Sequence, residues 1–351
     1  MRRSAIVTGM VALLVGIAAS GPAGAAEPVG REPSLVPGIV TPPPADAPPL
    51  VDRVIPGTSH PLPRRRAINA YTTPAGDTVY VDRSGYYGPN PQADQELVDF
   101  LDGLLHGREL DGLLVEVVGP PEMPVRCGEG AAACYYPSQD LIVVVGEPQY
   151  GGLPTDYVLA HEYGHHVANH RRNPPFAGGA LDWGTKRWAS YIGVCRGTRT
   201  GRIDPDDYFQ HPGEAYAESY AEYHFPPNTV AWEWDNFFKP DATSRARLAT
   251  DVRNPWRSNR KTAYAGRIRS GRAASINVKT PLDGRLIVKL RGPRRADFDL
   301  FLYAGRKRVA RSTKPRSRER VSYTVCGEAK LRVEVRAVRG SGKARVKVSR
   351  P

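Results

Sequence analysis

His161 and His165 stand four residues apart with Glu162 beside the first, in the run His161-Glu162-Tyr163-Gly164-His165. On a helix that spacing puts both imidazoles on one face, one turn apart. Two neutral imidazoles so placed can share one Zn²⁺ at about 2.0–2.1 Å. Glu162 can reach a metal-bound water without itself ligating, the position of a general base. Gly164 removes side-chain bulk beside the pair. The plain alternative is a polar helix with its histidines on a solvated face.

A catalytic zinc needs a third protein ligand and one open position. His166 and His170 do not fit the spacing for a third histidine and read as lying off the ligand face. Downstream stands His211-Pro-Gly-Glu214-Ala-Tyr-Ala-Glu218-Ser-Tyr-Ala-Glu222. A glutamate from this run would complete a two-His, one-Glu set. A second glutamate one helical turn on could accept a hydrogen bond from a ligating imidazole and hold its tautomer. Glu214 and Glu218 have the same spacing as Glu218 and Glu222, so spacing alone leaves the register open.

These two motifs resemble the gluzincin branch of the zincin metallopeptidases. The resemblance covers His161-Glu162-x-x-His165 and Glu214-x-x-x-Glu218, with 48 residues between His165 and Glu214. It implies a zinc peptidase acting on a peptide or protein. His161, His165 and Glu214 would be the ligands and Glu218 the supporting carboxylate, where an Asp is often found. Glu162 would be the general base. The developing oxyanion needs a further donor. Tyr208 and His211, just before the ligand run, are the candidates; their plainer roles are packing and a surface turn. By the same resemblance, residues 140–145 would form the edge strand that pairs with an extended substrate.

The elements that must position these groups are readable in outline. Residues 78–81, 113–118 and 140–145 have strand character, the last a β-branched run stopped by Gly146 and Pro148. Leu97, Phe100, Leu101, Leu104 and Leu105 have helical spacing and predict a helix over 94–106. The two histidines fall in a helix expected from Thr155 or Asp156, either serving as cap, to about His170, ahead of Pro174-Pro175. Trp183, Trp188 and Tyr191 mark a further helix or an irregular aromatic cluster. Residues 212–223 read as a helix with Pro212 in its first turn. Trp232, Trp234, Phe237 and Phe238 read as packing residues, on the domain surface or, more plainly, in the core or at an interface.

From Lys261 onward there are 26 Lys and Arg against six Asp and Glu, whereas the rest of the chain is net acidic. Two domains with different surfaces follow. The basic part alternates polar and apolar residues over 275–279, 284–290, 298–303, 321–325, 330–336 and 343–348, with Gly, Pro and Asp turns between, the pattern of a β-sandwich. Asp297-Phe-Asp299-Leu-Phe-Leu-Tyr303, the run ending Thr324-Val-Cys326-Gly, and the last two strands resemble the bacterial pre-peptidase C-terminal domain. The expected fold is an α+β zincin-like metallopeptidase domain over 67–258, followed by an all-β sandwich over 259–351. The arginine load suits an acidic cell-wall or cell-surface polymer, or serves as plain solubility charge. No recognition motif for a specific nucleic acid accompanies it.

The start of the chain has Arg2-Arg3, an apolar run over residues 5–19 and the small-residue site Ala23-Gly24-Ala25-Ala26, the pattern of a cleaved secretory signal over 1–26. No other run is long enough for a membrane span. The expected location is secreted, extracellular or cell-wall associated. Four cysteines suit export: Cys127 and Cys134 suggest a small loop, and Cys195 and Cys326 lie in different domains and could pair across the interface, a connectivity that sequence alone does not fix. Residues 27–66 are proline-rich and end in Arg64-Arg65-Arg66, either a linker or a pro-segment with a basic processing site. A protein of another class is also compatible with these features: a secreted adhesion or surface-binding protein on a peptidase-like scaffold without turnover.

Overall fold

The computed structural model describes residues 51–55, 68–173 and 179–351. The signal segment 1–26 and Arg64-Arg65-Arg66 lie outside the described residues. The first part of the chain is a mixed sheet covered by helices. Its strands are β1 (Val51–Val54), β2 (Asn69–Thr72), β3 (Thr78–Arg83), β4 (Leu114–Val118), β5 (Ala131–Tyr136) and β6 (Leu141–Val145), in the order β1-β5-β6-β4-β3-β2. β6 and β4 are parallel and buried along their whole length. That environment explains their Leu, Val and Ile content, since a strand covered on both faces has no solvated side to mark.

Helix α1 (Pro91–Gly103) starts three residues before the expected helix, where Asn90 Oδ1 accepts the Ala93 N–H at 3.1 Å and Pro91 supplies the first turn. A short α2 (Met123–Cys127) leads into β5, and a two-residue hairpin of β7 (Gln149–Tyr150) and β8 (Leu153–Pro154) leads into α3 (Thr155–Asn169). α3 is not capped by Thr155 or Asp156. Its N-cap position is Pro154, and the Thr155 hydroxyl donates to the Glu147 carbonyl instead. Every residue of α3 from Tyr157 to Ala168 is buried, so no solvated face is left for its histidines.

Helices α4 (Ala180–Trp183), α5 (Lys186–Ile192) and α6 (Val194–Thr200) fill the aromatic stretch. α7 (Pro212–His224) packs directly against α3, and α8 (Ala242–Arg253) closes the layer. The α3–α7 approach depends on Gly164. A Cβ there would lie 2.9 Å from Ala217 Cα and 3.1 Å from its carbonyl oxygen, both backbone atoms that cannot yield alone. Phe238 takes the core place: it is fully buried and stacks on Trp188, with ring centroids 6.4 Å apart.

The basic part is all β. β10 (Ala273–Thr280), β15 (Ala329–Arg339), β12 (Asp297–Ala304) and β13 (Lys307–Ser312) form one antiparallel sheet; β14 (Arg318–Val325), β11 (Gly284–Arg291), β16 (Gly342–Arg350) and β9 (Arg260–Ile268) form the other. Leu286, Val288, Val346 and Val348 from one sheet share an apolar core with Phe298, Leu300, Val333 and Val335 from the other, a sandwich arrangement. Disulfides join Cys127 to Cys134 and Cys195 on α6 to Cys326 in the sandwich. At the same junction Ser190 Oγ accepts the Asp283 N–H at 2.9 Å. Two disulfides are the pattern of an oxidising environment. Among the described residues, no helix is long and apolar enough to cross a membrane.

The expected substrate edge needs correction. Residues 140–145 are not an edge: β6 lies between β5 and β4, and the outer partner of β5 is β1. The proline-rich stretch contributes that outer strand, Val51–Val54.

Candidate metal centre

α3 places His161 and His165 one turn apart on its inner face, and α7 brings Glu214 and Glu218 against them. His165 Nε2 lies 3.0 Å from Glu214 Oε2, and His161 Nε2 lies 3.6 Å from the same oxygen. Glu218 meets the other side of the first ring, its Oε2 at 3.0 Å from His161 Nδ1. The Tyr157 hydroxyl donates to Glu218 Oε1 at 2.6 Å. Glu222 faces elsewhere, toward Arg245 Nη2 at 3.3 Å.

The sequence reading missed a fourth member. Asp52 on β1 puts Oδ2 2.9 Å from His161 Nε2 and 3.2 Å from His165 Nε2. The Tyr208 hydroxyl donates to Asp52 Oδ1. Asp52 lies in the proline-rich stretch far from the other ligands, and no spacing rule links it to them. The only local signal was β-like character in Val51, Val54 and Ile55. His211 is the N-cap of α7, and its Nδ1 accepts the Glu214 N–H at 3.4 Å. Trp234 was also missed; it stacks on His161 with ring centroids 5.8 Å apart.

Asp52, His161, His165 and Glu214 form a buried group able to hold a metal ion. The donor chemistry fits one. In a neutral imidazole, an Nδ1–H given to Glu218 leaves the His161 Nε2 lone pair facing carboxylate oxygens. Lone-pair atoms this close require either a proton or a cation between them. Ligand atoms around a tetrahedral ion bound at about 2.0–2.1 Å lie roughly 3.3 Å apart. The observed separations of 2.9, 3.0, 3.2 and 3.6 Å bracket that value.

Electrostatics point the same way. Asp52, Glu162, Glu214 and Glu218 are four buried carboxyl groups around two imidazoles, an excess of acid in a buried site. Burial alone would raise the Asp52 carboxyl, but His161 and His165 outweigh it and hold Asp52 well below the usual range. Burial would lower both histidines. Asp52 with Glu214 and Glu218 instead holds His161 well above the usual range, and Glu214 with Asp52 holds His165 up at about 9. Glu162 differs from its neighbours. Burial first, then the Asp52 and Glu214 charges, pushes its carboxyl well up, and neither of its oxygens has a hydrogen-bond partner among the described residues.

His166 and His170 form a separate group with Asp140 at the other end of α3. His166 Nε2 is 2.6 Å from the Glu109 carbonyl and its Nδ1 3.0 Å from the Tyr135 hydroxyl, while His170 Nε2 is 3.0 Å from Asp140 Oδ1. Burial pushes His166 down to about 4. Asn169 Nδ2 also donates to the Tyr135 hydroxyl, at 3.0 Å, so the group ties the end of α3 to the β5–β6 turn.

No protein-family model matches the chain, and no curated protein matches it. Solved structures give partial likenesses only. The pre-peptidase C-terminal domain of collagenase from Bacillus anthracis matches at 11% identity over 25% of this chain and 88% of its own, with a TM-score of 0.23. The Yersinia pseudotuberculosis-derived mitogen matches at 11% identity over 26% and 87%, with a TM-score of 0.23. Aeromonas hydrophila PliG, a periplasmic inhibitor of g-type lysozyme, matches at 8% identity over 26% and 86%, with a TM-score of 0.22. Likeness at this level assigns no family and no activity.

Proposed function

We propose that this chain is an exported zinc peptidase of gluzincin-like design. The observation that carries the reading is the approach of His161 Nε2 and His165 Nε2 to Glu214 Oε2, at 3.6 and 3.0 Å, beside the buried carboxyl of Glu162, which has no hydrogen-bond partner among the described residues. Zinc held by these three side chains would supply Lewis acidity and a bound water with a pKa near 7. Glu162 takes a proton from the attacking water on a carboxylate oxygen and delivers it to the leaving amine nitrogen. Its burial beside other carboxyl groups favours holding that proton between the two steps. The Tyr208 hydroxyl, once free of Asp52, donates to the substrate carbonyl oxygen as charge develops there.

The remaining residues orient these groups. Glu218 fixes the tautomer of His161, and Tyr157 fixes Glu218. His211 caps the helix that presents Glu214. With β1 absent, β5 is the outer strand and offers backbone groups to an extended peptide. The basic sandwich is suited to an acidic cell-surface polymer, which would hold the peptidase near its target.

One observation favours a second reading. Asp52 fills the fourth position that a catalytic metal keeps open, as expected of a closed, non-catalytic metal site on a secreted binding protein. Peptide hydrolysis by the zinc-loaded Asp52→Ala chain separates the two. The peptidase reading expects turnover of a mixed peptide library, reduced at least about 100-fold by adding Glu162→Gln with zinc retained. Absence of turnover at full zinc occupancy refutes it.

A further inference from the structure

Asp52 reaches the metal cluster differently from the other members. His161, His165 and Glu214 sit on two buried helices packed on each other. Asp52 sits on a four-residue strand at the sheet margin, running parallel to β5. Besides its ladder with β5, the segment is held by the Ile55 N–H, which donates to the Tyr135 carbonyl at 2.9 Å, by exposed Arg53 Nη2, which donates to the Glu129 carbonyl at 2.8 Å, and by Ile55 packing beside Cys134 and Val143. The β1–β5 register shifts opposite Asp52: two steps along β1, from Val51 to Arg53, span three along β5, from Ala131 to Cys134, so the extra residue lies on β5.

This one segment occupies three places at once. Asp52 Oδ2 fills the fourth corner of the cluster, Asp52 Oδ1 takes the Tyr208 hydroxyl, and β1 covers the β5 edge. Peptide hydrolysis at this site needs an open ligand position, a donor for the carbonyl oxygen and a strand edge for the substrate. We infer that segment 51–55 is a built-in plug and Asp52 its displaceable ligand, so that the chain is latent while β1 is seated. The inference rests on the metallopeptidase reading above.

The covalent layout suits release. Neither disulfide holds β1; Cys127–Cys134 and Cys195–Cys326 both lie within the body it covers. β1 joins that body through residues 56–67, whose sequence includes Arg64-Arg65-Arg66. Hydrolysis of one peptide bond there, water adding across it, would turn an intramolecular ligand into a separate peptide. The effective concentration that keeps Asp52 in place would be lost with the tether.

Acetohydroxamic acid, a small chelator that needs an open metal position, tests the plug on the full chain loaded with Co²⁺. Wild type, Asp52→Ala and Asp52→Asn are titrated while cobalt absorption and cobalt content are followed. Asp52→Asn keeps the side-chain volume and guards against a folding defect in Asp52→Ala. The expected result is one equivalent of cobalt in all three, with the hydroxamate binding both variants at least about 100-fold more tightly than wild type. Equal hydroxamate affinity in wild type and variants overturns the plug alone. Loss of cobalt from both variants also overturns it, by making Asp52 a permanent ligand. Failure of wild type to take up cobalt overturns the plug and the metal-centre reading together.

Discussion

Glu218 Oε2 sits 3.0 Å from His161 Nδ1, on the opposite side of the ring from Glu214. The two glutamates therefore do different work although the sequence makes them look alike. Glu214 shares the space of the imidazole Nε2 atoms, whereas Glu218 steers one imidazole from behind. Glu218→Gln is expected to weaken zinc binding about 10–100-fold, the usual cost of losing a carboxylate behind a ligand. Glu214→Ala should weaken it further. Equilibrium dialysis with a competing chelator measures both; a larger loss at Glu218 than at Glu214 would reverse the assignment.

Gly164 sets how closely the two ligand helices approach. Gly164→Ala would put a methyl group 2.9 Å from Ala217 Cα, so α3 and α7 must separate. The expected cost is about 1–3 kcal/mol of stability, in the range for overpacked cores. Denaturant unfolding of the metal-free protein measures it, and zinc affinity should fall with it. An unchanged midpoint would mean that the helices can part freely.

Lys186 gives the junction with the sandwich a distinct pH dependence. Burial pushes its ammonium down to about 8, against the opposing pull of Asp283 and Asp251. Its pKa in the unfolded chain is about 10.4. Between these values the unfolded chain binds more protons, so this residue makes stability rise as pH climbs from about 8 toward 10, and adds no slope below that window. Lys186→Met should remove that rise. Unfolding curves for both proteins at pH 7.5, 8.5 and 9.5 check it; parallel slopes would show that Lys186 has no depressed pKa.

The parts of this protein legible in sequence are those ruled by local periodicity or fixed spacing. His161 and His165 had to share a helix face, Pro212 marked the start of α7, and the alternating runs after Lys261 marked strands. β5 escaped notice because Ala131-Ala132-Ala133 has little strand preference, and tertiary pairing with β1 and β6 decides its conformation. Asp52 escaped for a related reason. A four-residue strand inside a proline-rich stretch is stabilised by its partner strand and its side-chain contacts, neither of which leaves a periodic trace. The choice between Glu214 and Glu218 likewise depends on how α7 is rotated against α3, a matter of tertiary packing that equal sequence spacing does not record.

The central claim is that two imidazoles and nearby carboxylates form a zinc centre, and X-ray absorption at the zinc edge tests it most directly. The full chain with one equivalent of zinc should show a four-coordinate shell of nitrogen and oxygen at about 2.0–2.1 Å, with outer-shell scattering from two imidazole rings. His161→Ala should remove one ring. A shell of water alone, or one imidazole in wild type, would contradict the account.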